Sequence, residues 1–314
     1  MASSKIQTIV QVPSPVPFDY VETMRFQTNY RKQSGSDYFE NGVYMKAMRI
    51  KGQPVILEVK ESADHESVEA RVISPNLPIE QSVVRSAVSL LLGFDLALTE
   101  FHDFVEQDEV LSSLIGRFKG LRLTRTGTVY EAMINAIIGQ QISSMVAGVI
   151  REAFLKHYGL PLKVGQTTLY VFPEPEDVYR QGIETLKTLK LSGKKAEYIY
   201  EISQRSAQGE LDYEELNPLS NDEIIQRFVA IRGIGIWTAE WVLLRSLGRM
   251  DAIPAGDLAL QRMVAEFYFG KERITEKEVR EFAKKHWSPF EGLVTLYLFA
   301  LLRESREKLL EGTN

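Results

Sequence analysis

The hydrophobic pattern of the chain changes its period near residue 97. Before that point, FDYVETMRFQTNY, NGVYMKAMRIKGQPVILEVKES and VEARVISP carry β-branched and aromatic residues in extended runs, and KGQP is a turn signal. The run PIEQSVVRSAVSLLLGFD then has helical spacing, with Pro78 near its start and Gly93 near its end. We therefore predict an N-terminal antiparallel α+β domain at residues 1–97, in which a helix packs on a sheet.

From Leu98 onward the apolar residues recur every three to four positions, as they do in amphipathic helices. The segment VYEAMINAIIGQQISSMVAGVIREAFLKHYG predicts one or two helices that end at Gly159, and PFEGLVTLYLFALLRESREKLLEG predicts the last helix. Ser220 and Glu223 have the spacing of a capping box, which indicates a helix start. The sequence thus predicts a mainly α protein, with an all-α domain at residues 98–314 behind the α+β domain.

Composition excludes several kinds of site. The chain contains no Cys, which rules out disulfides, thiolate zinc sites and cysteine-held iron–sulfur clusters. Its 4 His residues are scattered without metal-binding spacing, so we expect no metal held by side chains. The formal net charge of −5 requires any DNA-binding surface to be a local basic patch. Without a signal-peptide core or a membrane-length apolar run, we expect a cytoplasmic protein that does not bind membranes.

The stretch VAIRGIGIWTAEWVLLRSL places Gly233 and Gly235 between two apolar helical segments. The short link between a helix at 221–231 and a helix at 237–248 must turn tightly, which glycine permits. Backbone amides at the start of the second helix are then open to an anion such as a DNA phosphate. The pattern predicts a helix-hairpin-helix at residues 221–248, and a plain pair of helices joined by glycines remains the alternative.

Three segments together resemble a known family. IRGIGIWTAEWVLL followed by DAIPAGDLALQ resembles the helix-hairpin-helix and Gly/Pro–Asp motif of the DNA glycosylase superfamily that bears this name. YEAMINAIIGQQIS resembles the segment that carries the DNA-wedging loop in those enzymes, and the most similar group is the DNA-3-methyladenine glycosylase II enzymes. The resemblance covers roughly Leu98 to the C-terminus, and the α+β region fits the first domain of that group. It implies a helix-hairpin-helix glycosylase fold.

The resemblance also implies a reaction and a partner. The expected enzyme is a hydrolase of base excision repair that binds double-stranded DNA containing alkylated bases. It flips out an alkylated purine of the 3-methyladenine type and excises it, which leaves an abasic site. We expect a monomer, because hairpin, pocket and wedge occur in one chain. Two alternatives stay open: a non-catalytic DNA-binding protein that uses the hairpin alone, and an oxidised-purine glycosylase with lyase activity.

One candidate cofactor follows from the resemblance. Hairpins of this family often hold a monovalent cation through backbone carbonyls, here near Ile231 and Ile234. No other cofactor is implied.

Asp257, at the start of DLALQRMV, is the catalytic carboxylate by resemblance. Its plain alternative is a helix N-cap, and the two roles do not exclude each other. Glycoside hydrolysis passes through an oxocarbenium-like state and usually needs an acid to protonate the leaving group. An alkylated purine is already positively charged, so one carboxylate that stabilises the cationic sugar and orients a water molecule is enough.

Trp237 and Trp241 are four residues apart and share one face of the second hairpin helix. Alone they indicate an apolar packing stripe, but with the resemblance they predict a wall for a cationic base, worth about 2 kcal/mol in a dry pocket. Phe290 matches a further aromatic residue of the family pocket, while Trp287 and Phe26 are weaker candidates. Superfamily members that cut the strand carry a lysine where Trp237 stands, so the resemblance implies a monofunctional enzyme.

The segment GQQIS interrupts a helical pattern at Gly139, which indicates a loop. By position in the motif, Gln141 is the wedge that fills the gap left by the flipped base, and Gln140 holds the loop or touches the opposite strand. Lys194 and Lys195 in LKTLKLSGKKAEYI are predicted DNA contacts, although a lysine run is commonly only a solvated face.

Overall fold

The computed structural model describes residues 6–28, 35–74, 78–96 and 98–311. Five strands of the described part form an antiparallel N-terminal sheet: β1 (Ile6–Pro13), β2 (Asp37–Glu40), β3 (Val43–Ile50), β4 (Gln53–Glu61) and β5 (Ser67–Ser74). Their order across the sheet is β1-β5-β4-β3-β2. This confirms the sheet predicted for the first part of the chain.

Two tight turns set the register of the central hairpins. Asn41 and Gly42 join β2 to β3 with φ of 53° and 73°, and Lys51 and Gly52 join β3 to β4 with φ of 50° and 74°. Paired left-handed residues are the signature of the two-residue turn whose twist matches that of the strands. The second turn lies in the predicted KGQP segment.

Two helices pack against the sheet, α1 (Tyr20–Gln27) and α2 (Gln81–Leu91). The second is the predicted helix. The first corrects the prediction of a strand for FDYVETMRFQTNY: Asp19 caps the helix by accepting from the Glu22 amide, and Tyr20, Thr23 and Met24 are buried at helical spacing. Aromatic and β-branched residues had suggested a strand, but the cap and the period of the buried residues favour a helix.

The second part of the chain is mainly helical. Its helices are α3 (Leu98–Val105), α4 (Glu109–Arg117), α5 (Val129–Gly139), α6 (Ser144–Tyr158), α7 (Pro175–Tyr179), α8 (Gly182–Lys187), α9 (Gly193–Ala207), α10 (Tyr213–Leu216), α11 (Asn221–Val229), α12 (Ile236–Val242), α13 (Leu258–Val264), α14 (Glu276–His286) and α15 (Glu291–Glu311). Helices α12 and α13 each continue into a π-helical turn, Leu243–Leu247 and Ala265–Phe269. The capping box at Ser220 and Glu223 is present at the start of α11.

A second, two-stranded sheet lies within this helical part. Strands β6 (Leu160–Val164) and β7 (Thr167–Val171) form a hairpin, and Leu169 and Val171 pack with Ala47 of β3 in a small separate core. The prediction of an all-α segment from residue 98 onward is therefore wrong over this hairpin. Its strands are only five residues long, which is too short for a clear alternating pattern.

A buried arginine joins the sheet to the helical part. Arg122, only 1% exposed, donates to the backbone carbonyls of Gly93, Leu96 and Pro17. Such hydrogen bonds are needed because a buried guanidinium without acceptors would be strongly destabilising. The predicted boundary after residue 97 stays a prediction, since Ala97 lies outside the described residues. None of the helices in the described ranges is long and apolar enough to span a membrane.

Candidate active site

A cleft of about 1320 Å³ opens between the sheet and the helical part. It is lined by residues from the end of α1, the sheet, the loop between α5 and α6, the start of α9, the hairpin, the start of α13, and α15. The predicted site residues that line it are Gln140, Gln141, Lys194, Lys195, Gly233, Gly235, Trp237, Trp241 and Asp257. The fold thus brings together segments that are more than a hundred residues apart in the sequence.

The hairpin between α11 and α12 turns at Gly233, whose φ is +87°. A Cβ at this position would lie 2.2 Å from the ring of Tyr198, so glycine is required both by conformation and by space. Gly235 is the N-cap of α12 and is exposed, and no side chain of the described residues caps this helix. The first amides of α12 therefore face outward at the edge of the cleft, where an anion can reach them.

Asp257 is the N-cap of α13, and its two carboxylate oxygens have different partners. Oδ1 accepts from the amides of Ala259 at 2.9 Å and Leu260 at 3.3 Å. Oδ2 accepts from the indole Nε1–H of Trp237 at 3.3 Å. Capping and a position in the cleft therefore coexist, and the carboxylate is half-buried with its orientation fixed by three N–H donors.

Aromatic rings line the cleft beside this carboxylate. Trp237 and Trp241 meet edge to face, with ring centroids 6.3 Å apart, and Trp241 lies 5.7 Å from Phe299. Phe26 of α1 also lines the cleft, with the Arg303 guanidinium 3.9 Å from its ring centroid. An apolar, electron-rich wall thus stands next to an acid side chain, an arrangement suited to a flat cationic ligand.

Phe290 is a correction, because its side chain is not part of the cleft lining. It packs against Phe101 and Phe104, with ring centroids 5.6 and 5.2 Å away. Trp287, the substitute considered for it, is fully buried against Tyr268 and is not part of the cleft either. Phe290 immediately precedes α15, and its ring is directed toward α3 instead.

The sequence analysis missed Phe299 and Arg303, which α15 contributes to the cleft two turns further on. They are four residues apart and so share a helix face. That spacing was available as a signal, but LVTLYLFALL is apolar all round, so its pattern did not indicate which face meets the cleft.

The wedge loop, residues 140–143, connects α5 to α6. Gln141 is exposed and has a φ of +56°, an uncommon conformation for a residue with a side chain. Gln140 donates from Nε2 to the carbonyl of Gly233 and to the hydroxyl of Thr238, both at 3.0 Å. These contacts agree with the expectation that Gln140 holds the loop, and its contact with an opposite strand stays a prediction.

The two neighbouring lysines differ in their surroundings. Lys194 is exposed at the cleft edge. Lys195 is half-buried, and its Nζ donates to the carbonyls of Ile138 at 2.8 Å and Gln140 at 2.7 Å. Burial lowers the pKa of Lys195, and the nearby Arg151 charge lowers it further. A DNA contact by Lys195 would have to compete with these two carbonyls.

The floor of the cleft is a buried ionic network. Lys46, 2% exposed, lies 3.0 Å from a carboxylate oxygen of Asp37 and 3.9 Å from one of Glu131. Burial alone would lower the pKa of Lys46, but the two carboxylates outweigh it and raise this pKa. Arg245 donates to Gln27 at 3.0 Å, and Gln27 donates to Asp37, so the network crosses from the sheet to the helical part.

Metal ligands are scarce in this region. Among the described residues, no group of three or more His, Asp or Glu side chains could hold a metal ion. The hairpin carbonyl of Ile231 accepts from the amide of Ile234 at 3.1 Å, so a cation there would share that oxygen. The monovalent cation predicted at the hairpin stays a prediction.

Comparison with known proteins gives consistent matches. A family model described as HhH-GPD superfamily base excision DNA repair protein matches residues 134–289, which include the wedge loop, the hairpin and Asp257. DNA-3-methyladenine glycosylase of Bacillus subtilis is 25% identical over 96% of this chain and 100% of its own length. DNA-3-methyladenine glycosylase 1 of Schizosaccharomyces pombe is 30% identical over 60% of this chain and 79% of its own length. The solved structure of a 3-methyladenine DNA-glycosylase from Archaeoglobus fulgidus has a TM-score of 0.82 and 29% identity, covering 94% of this chain and 98% of that one.

Proposed function

The chain belongs to the HhH-GPD superfamily of base excision DNA repair proteins, and from this premise we propose that it is a monofunctional DNA glycosylase for alkylated purines. It binds double-stranded DNA, flips out the damaged nucleotide and hydrolyses its N-glycosidic bond. The observation that carries the proposal is the Asp257 carboxylate, fixed beside Trp237 and Trp241 in the cleft. The names of the relatives favour alkylated bases as substrates.

The proposed reaction needs one carboxylate. In an alkylated purine nucleotide, the base carries a positive charge, so the bonding electron pair leaves with it and the base departs neutral without prior protonation. Positive charge then develops on the sugar, where Asp257 stabilises it electrostatically. Water adds at C1′ and gives up its proton, for which the same carboxylate is the nearest named acceptor. No further cofactor enters this chemistry.

Hydrogen bonding prepares Asp257 for this role. A carboxylate fixed by the amides of Ala259 and Leu260 and by the indole of Trp237 does not need to reorient as charge develops. Such preorganisation is the main source of electrostatic catalysis, because a fixed charge spends no free energy on reorganisation during the reaction.

Aromatic residues account for substrate choice. A cationic base stacked on the rings of Trp237, Trp241 or Phe299 gains about 2 kcal/mol from cation–π attraction in a dry site, and a neutral purine loses most of it. Recognition of charge more than outline implies broad tolerance among alkylated purines.

Lyase activity is not part of the proposal, because strand cleavage needs an amine that attacks C1′. Trp237 stands where the strand-cutting members carry their lysine. In the described part of the cleft lining, the lysines are Lys46, Lys194 and Lys195. Lys46 is held by Asp37 and Lys195 by backbone carbonyls, and Lys194 sits at the exposed start of α9.

DNA binding is proposed through two elements. The amides at the start of α12 bind a backbone phosphate, and Gln141 enters the stack where the base leaves. Both elements, together with the cleft, belong to a single chain, so we propose that a monomer acts.

The decisive experiment incubates the protein with methylated duplex DNA. Released bases are identified by chromatography, and the remaining DNA is analysed before and after alkali. We expect free 3-methyladenine or 7-methylguanine and a strand that breaks only after alkali. Asp257→Asn is the matched control and should release nothing while still binding DNA.

Two results would overturn the proposal. DNA binding without release of any base would leave a non-catalytic DNA-binding protein. Strand breaks before alkali, with trapping of the protein on DNA by borohydride, would indicate a lyase.

A further inference from the structure

Cationic side chains hold the C-terminal end of α5, just before the wedge loop. Arg151 donates to the carbonyl of Asn135 at 3.0 Å, and Lys195 donates to the carbonyls of Ile138 at 2.8 Å and Gln140 at 2.7 Å. The last carbonyls of a helix have no partner within it, and the helix dipole makes this end attractive to cations. Lys195 therefore acts as an external cap whose second hydrogen bond reaches into the loop itself.

Gln140 extends this connection to the hairpin. Its backbone carbonyl accepts from Lys195, while its side-chain Nε2 donates to the Gly233 carbonyl and the Thr238 hydroxyl. One residue thus links α9, the wedge loop and the hairpin turn. Gln141, the next residue, is exposed and left-handed, so the held backbone of Gln140 sets the direction in which Gln141 leaves the protein surface.

We propose that Lys195 is a positioning residue that, through Gln140, fixes the wedge residue Gln141 relative to the phosphate-binding hairpin. This inference rests on the proposed function and replaces the expectation that Lys195 is a DNA contact. An ammonium group has three donors, and two are already used on α5 and the loop. The neighbouring Lys194, which is exposed, is the lysine free to meet a phosphate.

The physical role is preorganisation of base flipping. Extruding a base from a duplex costs a few kcal/mol of unpairing and unstacking, which the wedge offsets only if it already stands in the gap. A left-handed conformation at a residue with a side chain is itself unfavourable by about 1–2 kcal/mol, so it must be held by its surroundings. Loss of Lys195 should therefore impair flipping more than the chemical step.

The first test measures the loop in the free protein. Amide hydrogen exchange is followed on peptides covering the end of α5 and the wedge loop, in wild type, Lys195→Met and Lys194→Met. Lys195→Met should speed exchange at the loop about tenfold, because a charge-assisted hydrogen bond is worth roughly 1.5–3 kcal/mol. Lys194→Met removes the same charge without touching the loop and should leave that exchange unchanged. Equal exchange in all three proteins would overturn the inference.

The second test compares 7-methylguanine in a fully paired duplex with the same base in a one-nucleotide bulge, which needs little unpairing. Lys195→Met should lower excision from the duplex about tenfold and from the bulge far less. Lys194→Met should weaken both substrates alike and reduce the salt dependence of binding. A drop of equal size on both substrates in Lys195→Met would mean a merely structural role and would overturn the inference. If the wild type releases no base, the proposed function fails, and the exchange measurement still decides the positioning of the loop.

Discussion

Two helices begin at the edge of the cleft, and their N-termini are built in opposite ways. Helix α12 starts at Gly235, an exposed N-cap without a side chain, and the first helical residue, Ile236, is 48% exposed. Helix α13 starts at Asp257, whose own carboxylate accepts from the amides of Ala259 and Leu260. Both ends have the same unpaired amides and the same positive end of a dipole. One end is left open to an anion from outside, and the other is closed by an anion of the protein.

The contrast shows how one piece of backbone chemistry serves two tasks. The open end can bind a DNA phosphate because nothing in the described chain occupies it. The closed end holds a carboxylate in one orientation, where it can face the sugar of the same nucleotide. Trp237 joins them, since it lies in the first turn of α12 and donates to Asp257. Phosphate grip and catalytic acid are therefore set against each other by a single side chain.

The largest effect should come from removing the charge at the closed end. Asp257→Asn keeps a side chain that caps helices as well as Asp does, but it cannot stabilise a cationic sugar. We expect single-turnover base release to fall by at least about a thousandfold, with DNA affinity and thermal unfolding nearly unchanged. Asp257→Ala removes cap and charge together, so it should lose the same activity and also about 1 kcal/mol of stability. Full activity in Asp257→Asn would reduce Asp257 to a cap.

The hairpin, the wedge loop and the catalytic carboxylate could be predicted from the sequence because each depends on local requirements. A turn that excludes a Cβ at Gly233, an N-cap at Asp257 and a break after Gly139 are written in neighbouring residues. Trp237 follows from its place beside that turn. Such features do not depend on how distant segments pack.

Features that depend on packing were predicted poorly. Phe290 and Phe299 are both aromatic residues of one C-terminal segment, and only the fold decides that Phe299 faces the cleft. Lys194 and Lys195 look equivalent in sequence, but they point in different directions around α9, and one of them meets the end of α5. Phe26 was underrated because the segment containing α1 was interpreted as a strand.

A second prediction concerns how the two helix starts are held together. Glu240 of α12 is buried and accepts from Arg280, which also donates to Glu276 of α14. A Cβ on Gly256, the residue before Asp257, would lie 3.3 Å from a Glu276 carboxylate oxygen. Burial raises the pKa of Glu240 from its usual 4.5 to about 7, although Arg280 opposes this.

The sign of the effect follows from that raised pKa. The stabilising contribution of protonated Glu240 is fully present below pH 4.5 and is lost as the pH rises through about 7. Glu240→Gln does not ionise. The free energy of unfolding of the wild type relative to this variant should therefore fall by about 2–3 kcal/mol over that range. Denaturant unfolding at several pH values measures it, and a difference independent of pH would contradict the prediction.

A third prediction closes the open end. Gly235 has φ of −97° and ψ of 173°, and a Cβ there would have no atom within 4 Å, so an Asp can be accommodated as an N-cap. Gly235→Asp should stabilise the free protein by a few tenths of a kcal/mol and weaken DNA binding about tenfold, because a phosphate would meet a carboxylate. Titrations of duplex DNA at two salt concentrations measure this. Gly235→Asn adds the cap without the charge and should weaken binding less; equal affinity for Gly235→Asp and wild type would mean that the phosphate binds elsewhere.

The smallest effect should come from the link between the two ends. Trp237→Phe keeps an aromatic wall but removes the indole N–H that donates to Asp257 at 3.3 Å. A hydrogen bond of that length is weak, and the amides of Ala259 and Leu260 still fix the carboxylate. We expect base release to fall about threefold to tenfold, equivalent to roughly 1 kcal/mol, with DNA affinity unchanged. Trp241→Phe is the matched control, since it shrinks a ring of the same wall without touching Asp257. If both variants lose the same activity, the indole acts only through stacking, and the two helix starts are coupled through the backbone alone.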